Sequence, residues 1–428
     1  MNNQVAQVSE KELATAEQVV PAGYKQTEVG VIPEDWEYKT IGELATVFSG
    51  GTPNRKVAEY WGGDIPWVTT TLIDGQVINN ANEFITPKGV ERSSVKRCKA
   101  GSILMAMYGQ GKTRGKVALL GFDATINQAC ASIELKDLNT NTYVLHVLNS
   151  MYESIRELSN SGGQENLSGG IVKSIKIPFP PKEEQTAIAN ALSDMDALLG
   201  SLEALVAKKQ AIKTATMQQL LTGRTRLPQF ATWPDGSPKG YKTSELGEIP
   251  EDWEVVPFGC LLSIRHGKNQ TNVESSSGQY PIYGTGGQMG AATDFLYDKP
   301  SVLIGRKGTI NKPRYIEKPF WTVDTLFYSE ISSSASAKFI FYKFCMIDWM
   351  QYNEASGVPS LNASTIEGVM ATFPCLEEQS AIATILSDMD EETQALEQYL
   401  GKNRQIKQGM MQDLLTGKTR LSQWSEAI

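Results

Sequence analysis

One stretch of 48 residues occurs twice in this chain, and it restricts the possible folds more than any other feature. The copies are Glu183–Phe230 and Glu377–Trp424, which align without gaps and share 26 identical residues. In both copies apolar residues recur at alternating steps of four and three, which is typical of the seam of a coiled coil. They are Ile188, Leu192, Met195, Leu199, Leu202 and Val206 in the first copy, and Ile382, Leu386, Met389, Leu396 and Leu400 in the second, where Thr393 interrupts the pattern. We therefore predict two helices of about 40 residues, each roughly 60 Å long, which end at Thr222-Gly223 and Thr416-Gly417 and pack against each other.

A shorter repeat begins each half of the chain. Gly23–Gly42 and Gly240–Gly259 share 12 of 20 residues, including the sequence Ile-Pro-Glu-Asp-Trp. Proline sets a turn here, and we expect Trp36 and Trp253 to anchor that turn in the core. The order turn, globular domain and long helix therefore occurs twice. The predicted boundaries are an N-terminal tail (1–22), a first domain (23–181), a central helix (182–230), a linker (231–239), a second domain (240–375) and a C-terminal helix (376–428).

Both globular domains combine short strands with one helical stretch. Apolar runs separated by glycine and proline indicate strands and turns, and helical patterns follow at Thr142–Leu158 and Ala337–Met350. The predicted fold class is a multidomain α/β (α+β) protein with two mixed α/β domains and an internal two-fold pseudo-repeat.

Composition and motif spacing argue against several classes of protein. No apolar run reaches about 18 residues, so we expect a soluble, cytoplasmic protein that does not enter a membrane. The five cysteines form no CxxC pair and are expected to be buried thiols, and the two histidines are far apart in sequence. GQGKT at Gly109–Thr113 lacks the first glycine of a P-loop, because Ala106 stands at that position. We therefore predict no catalytic site and no metal site.

Basic residues are gathered in two glycine-containing loops, so the net charge of −8 does not exclude nucleic-acid binding. Glycine lets a backbone approach phosphates, while lysine and arginine neutralise phosphates or bind guanine. The candidate DNA-binding residues are Gln110, Lys112, Thr113, Arg114 and Lys116 in the first domain, and Arg306, Lys307, Asn311, Lys312, Arg265 and Lys268 in the second.

Several of these segments together resemble a known family. They are SGGTP…YWGGDIPWV, the strand, glycine-rich basic loop and strand that follow it, the run LSGGIVKSIKIPFPPKEEQTAIANAL, and the helix end LLTGRTRL. The chain is similar, from about residue 23 to its C-terminus, to the specificity subunits of Type I restriction–modification systems. The second domain departs from the pattern, because HGKNQTNVESSSGQYPIYGTGG replaces the SGGTP…IPWV segment.

The resemblance implies a function and a set of partners. In this family two target-recognition domains each read one half of a split site in double-stranded DNA. Two long antiparallel helices set the distance between the half-sites and bind two methyltransferase subunits, which recruit two restriction subunits. The chain itself would be non-catalytic and hold no cofactor. S-adenosylmethionine, ATP and Mg²⁺ would be used by the other subunits for adenine methylation and ATP-dependent DNA cleavage.

Two alternatives stay open at this point. One is an enzyme, namely a self-contained methyltransferase or nuclease with a coiled coil, which would bind S-adenosylmethionine or carry nuclease residues. The other is a coiled-coil scaffold with no role on DNA, which would show no salt-dependent DNA binding.

Two further expectations follow from the repeats. The turn Gly240–Glu254 follows the central helix directly, so pseudo-symmetry predicts that the N-terminal turn lies beside the end of the C-terminal helix, with Trp36 close to Trp424. The acidic SDMD steps Ser193–Asp196 and Ser387–Asp390 are expected to form either a solvated helix face or an interface with a partner.

Overall fold

The computed structural model describes residues 20–109, 112–158 and 166–421. The chain divides into two compact units. The first unit is Met1–Ser201 together with Leu400–Ile428, and the second unit is Leu202–Tyr399. Each unit contains one globular domain and a part of both long helices.

The described part of the first unit contains strands and helices in mixed order. The strands are β1 (Tyr24–Thr27), β2 (Gly30–Pro33), β3 (Glu37–Thr40), β4 (Ala45–Ser49), β5 (Trp61–Val68), β6 (Val77–Ile78), β7 (Glu83–Ile85), β8 (Arg97–Cys98), β9 (Ile103–Ala106), β10 (Val117–Leu120), β11 (Ala124–Ile126), β12 (Cys130–Leu135) and β13 (Lys176–Phe179). The helices are α1 (Ile41–Leu44), α2 (Pro87–Glu91), α3 (Asn141–Ser150), α4 (Tyr152–Glu157), α5 (Gly169–Ser174) and α6 (Lys182–Leu221), with 3₁₀ turns at Ala58–Tyr60, Thr70–Leu72 and Leu138–Thr140.

Two sheets form the body of the first unit. The five-stranded sheet has the order β4-β12-β9-β10-β6 and the four-stranded sheet the order β7-β5-β11-β8. Only the pairs β10·β6 and β11·β5 are parallel in these sheets. Strand β9 is buried along its whole length, because β12 and β10 pair with both of its edges and α3 covers one face.

The second unit repeats this plan with fewer strands. Its strands are β14 (Tyr241–Ser244), β15 (Gly247–Pro250), β16 (Glu254–Pro257), β17 (Leu262–His266), β18 (Tyr280–Gly284), β19 (Gly287–Ala292), β20 (Ser301–Gly305), β21 (Arg314–Ile316), β22 (Trp321–Thr322), β23 (Leu326–Ile331) and β24 (Met370–Phe373). Its helices are α7 (Ala337–Met346), α8 (Ala363–Gly368) and α9 (Leu376–Leu414), with 3₁₀ turns at Pro228–Phe230, Phe258–Cys260 and Trp349–Tyr352.

The sheets of the second unit correspond to those of the first. The order β17-β23-β20-β21 matches β4-β12-β9-β10, and the order β19-β18-β22 matches β7-β5-β11. The parallel pair β18·β22 corresponds to β5·β11. Residues 202–399, which are described throughout, contain no counterpart of β6 or β8, and this accounts for part of the shorter second domain.

Both long helices are present, and they pair antiparallel within each unit. In the first unit, Glu184 near the start of α6 contacts Arg420, and Asp196 contacts Lys407. In the second unit, Lys213 contacts Asp390, and Arg226 contacts Glu378. The predicted seam is the inward face: its residues are buried except Met195, Met389 and Leu396, which are half-buried, and Thr393 is also buried.

The structure confirms some of the other sequence predictions and contradicts others. The predicted helical stretches are each divided, since α3 is followed by the separate α4 and α7 by a 3₁₀ turn. The expectation of buried thiols holds for Cys98 and Cys130 but is wrong for Cys260, Cys345 and Cys375, which are exposed. None of the described helices is both long and apolar enough to cross a membrane.

Candidate nucleic-acid interface

The two basic loops lie at the same place in the two units. The first connects β9 to β10 and the second connects β20 to β21, and each of these strand pairs is an antiparallel hairpin in the larger sheet of its unit. The two candidate loops, which differ in sequence, are therefore equivalent parts of one fold.

The loop that follows the first strand of each larger sheet is also equivalent, although its sequence differs between the units. A Cβ atom on Gly50 would lie 1.9 Å from the carbonyl oxygen of Ile126, and one on Gly267 would lie 2.0 Å from that of Val323, so only glycine fits. After these glycines, the Gly51 amide donates to Ile126 and the Lys268 amide to Thr322. The divergent HGK segment of the second domain is thus the counterpart of the SGG segment of the first.

A buried tryptophan closes this loop in each unit. The Nε1 of Trp67 donates to the carbonyl of Gly51 at 3.0 Å, and the Nε1 of Trp321 donates to the carbonyl of Lys268 at 2.9 Å. Trp67 lies on β5, whereas Trp321 lies on β22, the counterpart of β11, which is the parallel neighbour of β5. The same hydrogen bond is therefore made from opposite strands of the parallel pair, which an alignment of the two sequences does not show.

In the first unit the predicted loop residues are partly accessible. Lys112 is exposed, and its carbonyl accepts a hydrogen bond of 2.6 Å from the hydroxyl of Tyr152. Thr113, Arg114 and Lys116 are half-buried. Gln110 lies outside the described residues.

In the second unit three loops meet around the predicted residues. The guanidinium of Arg306 donates to the carbonyl of Asp324 at 3.2 Å, Lys307 pairs with Ser360 through a backbone bridge, and the Gly308 amide donates to Pro359. Asn311, Lys312 and Lys268 are exposed. Beside them lies an open depression of about 480 Å³, lined in part by Gln270, Thr285, Gln288, Asp324 and Thr325.

Arg265 differs from the other predicted residues because it already has a carboxylate partner. Its Nε lies 2.8 Å from Glu330 across the β17·β23 pair, and this hydrogen bond and charge raise the pKa of Arg265. The net positive charge that Arg265 offers to a phosphate is therefore reduced.

A buried arginine fastens the ends of the helices to the Ile-Pro-Glu-Asp-Trp turn in each unit. In the first unit Arg420 donates to Glu184 and to Asp35, and Trp36 donates to Glu184 at 2.9 Å. We call this set the Arg420 clamp. The corresponding Arg226 clamp of the second unit joins Arg226 to Asp252 and Glu378, and Trp253 also donates to Glu378, at 3.2 Å. Trp36 and Trp253 are fully buried, which confirms their predicted role as anchors.

The SDMD steps bind the chain's own side chains. In the first unit Ser193 contacts His146 and Asp196 contacts Lys407. In the second unit Ser387 accepts from Lys338 at 3.1 Å, and Asp390 contacts Lys213 and accepts from the Tyr342 hydroxyl. The first and last residues of these steps therefore attach each domain to its helix pair, whereas Asp194 and Asp388 are exposed.

His146, Ser193 and Asp196 form a Ser/His/Asp set that the sequence did not indicate. The His146 Nε2–Ser193 Oγ distance is 3.4 Å and the His146 Nδ1–Asp196 Oδ2 distance is 4.0 Å. Burial lowers the pKa of His146 to about 4, whereas a general base works best with a pKa near the operating pH. Since Asp196 is also bound to Lys407, this arrangement is structural. In the described part of the chain, no group of three or more His, Cys, Asp or Glu side chains could hold a metal ion.

Comparison with known proteins gives a consistent result. The model of the Type I restriction modification DNA specificity domain matches residues 33–214 and 250–408. The specificity subunit of the Type I restriction enzyme MjaIX from Methanocaldococcus jannaschii is 25% identical over 435 residues, covering 94% of this chain and 97% of its own length. The EcoR124I/EcoR124II specificity subunit of Escherichia coli is 30% identical over 172 residues, which are 39% of this chain and 42% of that protein.

A solved structure shows the same fold. The S subunit of a Type I restriction–modification system from M. genitalium superimposes with a TM-score of 0.62 at 18% identity, covering 89% of this chain and 96% of that one. The family model matches both halves of the chain, each match running from the Ile-Pro-Glu-Asp-Trp turn through the domain into the long helix. The chain belongs to the family of Type I restriction–modification DNA specificity subunits.

Proposed function

We propose that each unit reads one half of a bipartite sequence in double-stranded DNA. The observation that carries this is a shared backbone frame with divergent side chains. The loops after β4 and β17 keep the hydrogen bonds of Gly51 and Lys268, and those after β9 and β20 keep the bond of their first residue, Met107 or Arg306, while the loop residues differ. Base readout requires different side chains on a constant scaffold when two different half-sites are read. The clamps and helix ends, by contrast, use identical residues in both units.

In this proposal the basic loops provide the phosphate contacts. Lys112 in the first unit, and Lys268, Lys307 and Lys312 in the second, are exposed cations on loops. Each phosphate contact releases condensed counterions, so the affinity depends on salt concentration. Contacts of this kind position the protein on the duplex, while neighbouring polar side chains select the bases.

The long helices would act as spacer and as docking surface. Their seam is buried within the chain, so a partner has to use the outward faces. Exposed apolar residues recur at equivalent positions of the two helices, Leu205 and Ile212 on α6 and Tyr399 and Ile406 on α9. Such residues, seven positions apart on a helix, form a stripe to which a partner helix can bind.

We assign that surface to two methyltransferase subunits, with two restriction subunits joining through them. The chain would be a non-catalytic, cytoplasmic subunit that holds no cofactor, while its partners use S-adenosylmethionine, ATP and Mg²⁺. The relatives named above are specificity subunits, which supports this division of labour.

Sequencing the methylated bases of a host that expresses this chain with its methyltransferase subunit tests the proposal. We expect one bipartite motif with two defined half-sites and a fixed unspecified gap. A host expressing the methyltransferase alone should show no such motif. A continuous motif, or a motif unchanged when this chain is omitted, would contradict the proposal.

The enzyme alternative has its own test. The purified chain, without partners, should not retain radiolabelled S-adenosylmethionine, whereas its complex with the methyltransferase should. Retention by the chain alone would favour a self-contained methyltransferase.

A further inference from the structure

The turn that leads from the smaller sheet into the larger sheet of each unit has the same hydrogen bonds in both units but a different residue at its tip. In the first unit this turn is Asn127–Ala129, between β11 and β12, and its tip residue is Gln128. In the second unit it is Val323–Thr325, between β22 and β23, and its tip residue is Asp324.

Four backbone hydrogen bonds establish that the two tips are equivalent. The Asn127 amide donates to Val68 in β5, and the Val323 amide donates to Tyr283 in β18. The carbonyl of the third turn residue accepts from the first residue of the basic loop, which is Met107 in one unit and Arg306 in the other. The remaining pairs are Gly51 with Ile126 and Cys130 with Asn127 in the first unit, and Lys268 with Thr322 and Leu326 with Val323 in the second.

Both tips lie among the loops assigned to DNA. The carboxamide oxygen of Gln128 accepts a hydrogen bond from Thr52, on the loop after β4. Asp324 lines the depression that also contains Gln270 and Gln288, and its carbonyl accepts from Arg306. Both tip side chains are exposed.

Asp324 is an acidic side chain on a surface that we assign to phosphate contact. Among the described residues, no basic side chain lies within 4.0 Å of its carboxylate, so its negative charge is not offset by an ion pair. An unpaired carboxylate repels the DNA backbone and weakens non-specific binding. It contributes to binding only where a base presents a hydrogen-bond donor, and in the major groove the amino group of cytosine is the usual donor to Asp.

Gln128 has the complementary chemistry. A carboxamide both donates and accepts, and this matches the N7 and N6 positions of adenine. The contact from Thr52 uses one lone pair of the carboxamide oxygen and orients the group. Two side chains that favour different bases thus occupy one position of a shared frame.

We propose that Gln128 and Asp324 are specificity-determining residues, with Gln128 reading an adenine in one half-site and Asp324 the amino group of a cytosine in the other. This rests on the proposed function and adds to it the identity of one base-reading position in each unit. The backbone frame places the two positions at corresponding steps of their half-sites.

Exchanging the two side chains tests the inference in the full complex with the methyltransferase. Asp324→Gln should replace a C·G pair by an A·T pair at one position of a single half-site, and Gln128→Asp should make the reverse change in the other half-site. Discrimination at these positions should change on the order of tenfold or more. The readout is the methylated motif in the host, together with binding to oligonucleotides that differ at one base pair.

Asp324→Asn distinguishes a base-reading role from a purely structural one. It keeps the size of the side chain but removes the charge, so non-specific DNA affinity should rise while discrimination at one base pair falls. Asp298→Asn, an exposed carboxylate of the same unit that lies outside these loops, is the matched control and should change neither. An unaltered half-site in all three tip variants, or a change spread over both half-sites, would overturn the inference. A wild-type complex with no bipartite motif would instead overturn the proposed function.

Discussion

Arg420 and Arg226 show at the level of single residues why the helix ends are repeated so closely. Burial by itself lowers the pKa of each arginine, but the hydrogen bonds to Glu184 and Asp35, or to Asp252 and Glu378, raise it above its ordinary value. Glu184 and Glu378 are 1% exposed. A charged group buried this deeply is destabilising unless an oppositely charged partner is bound to it.

Removing one clamp arginine should therefore destabilise its unit strongly. We expect Arg420→Met to lower the free energy of unfolding by about 3–5 kcal/mol, because Glu184 is left buried without its cation. Urea denaturation measures the change, and Arg226→Met should have a similar effect through the second unit. Lys418→Met, at a side chain that is 80% exposed, should stay within about 0.5 kcal/mol of wild type. A loss of similar size in the Lys418 variant would count against the clamp.

Lys343 is a buried cation in the second unit without a carboxylate partner in the described part of the chain. Its Nζ donates to the carbonyl of Leu221, the last residue of α6, at 2.6 Å and to the hydroxyl of Thr372 at 2.7 Å. Burial lowers the pKa of Lys343 to about 7. In the unfolded chain the pKa is about 10.4.

The stability of the second unit should therefore rise with pH between about 7 and 10. In that range the unfolded chain binds the proton and the folded chain does not, which adds up to about 1.4 kcal/mol per pH unit. Lys343→Val should remove this part of the slope, and valine is a suitable replacement because Val147 occupies the corresponding position of α3. The measurement is the urea midpoint of both proteins across this range. Equal slopes would show that Lys343 titrates normally.

The basic loops permit a separate test of DNA contact. Replacing Lys112, Arg114 and Lys116 by alanine should weaken binding and reduce the slope of log affinity against log salt by about one unit per lost phosphate contact. The same change at Arg306, Lys307 and Lys312 should act through the other half-site. Binding is measured by fluorescence anisotropy at several salt concentrations, with Lys402→Ala and Lys418→Ala as the control. An unchanged slope in both triple variants would remove these loops from the interface.

At the level of elements, the two ion-pairing residues of each long helix are the same number of residues apart. Asp196 and Lys213 on α6 are separated by the same seventeen positions as Asp390 and Lys407 on α9. Asp196 pairs with Lys407 and Asp390 pairs with Lys213. A change in the length of one helix alone therefore conflicts with one of the pairs.

We expect matched insertions of seven residues, one between Asp196 and Lys213 and one between Asp390 and Lys407, to lengthen the gap between the half-sites. Seven residues add about 10 Å, or about three base pairs of duplex, and they preserve the heptad face. Both half-site sequences should stay the same in the methylated motif. The insertion in one helix only serves as the control and should lower the melting temperature. An altered half-site would count against a spacer role.

At the scale of the whole chain, the N-terminal turn completes the end of the C-terminal helix as predicted. Tyr24 donates to the carbonyl of Gly417 at 3.0 Å, as Tyr241 donates to that of Gly223 at 3.2 Å. A Cβ atom on Gly417 would lie 3.2 Å from Trp36, which confirms that the turn packs on this helix end. Trp424, which the sequence also placed there, lies outside the described residues.

A circular permutant should therefore fold and bind DNA. Joining Ile428 to the N-terminal tail and opening the chain within 231–239 leaves both clamps intact, and the new ends fall in a surface linker. The measurement is assembly with the methyltransferase followed by DNA binding. As a control, a permutant opened within β9, which is buried and hydrogen-bonded along both edges, should fail to assemble. Failure of the linker permutant alone would refute the cyclic arrangement.

The sequence by itself determined the elements whose signals are local or repeated. The heptad seam from Ile188 to Val206, the turns at Trp36 and Trp253, and the helix ends at Gly223 and Gly417 are all visible in short windows, because helix period and turn chemistry act between near neighbours. The duplication also indicated the family and the adjacency of the two chain regions in the first unit.

Only the tertiary structure decided which side chains share a site. The equivalence of Gln128 and Asp324 depends on hydrogen bonds between residues far apart in sequence, such as Gly51 with Ile126 and Lys268 with Thr322. The sequences ATI-NQA-CASIEL and WT-VDT-LFYSEI can be aligned so that Gln128 faces Asp324. That alignment does not pair the two tryptophans, because Trp67 and Trp321 make the corresponding hydrogen bond from different strands. Base-reading positions, ion-pair partners and thiol exposure are set by how distant segments pack, and a sequence pattern reports only the separations along the chain.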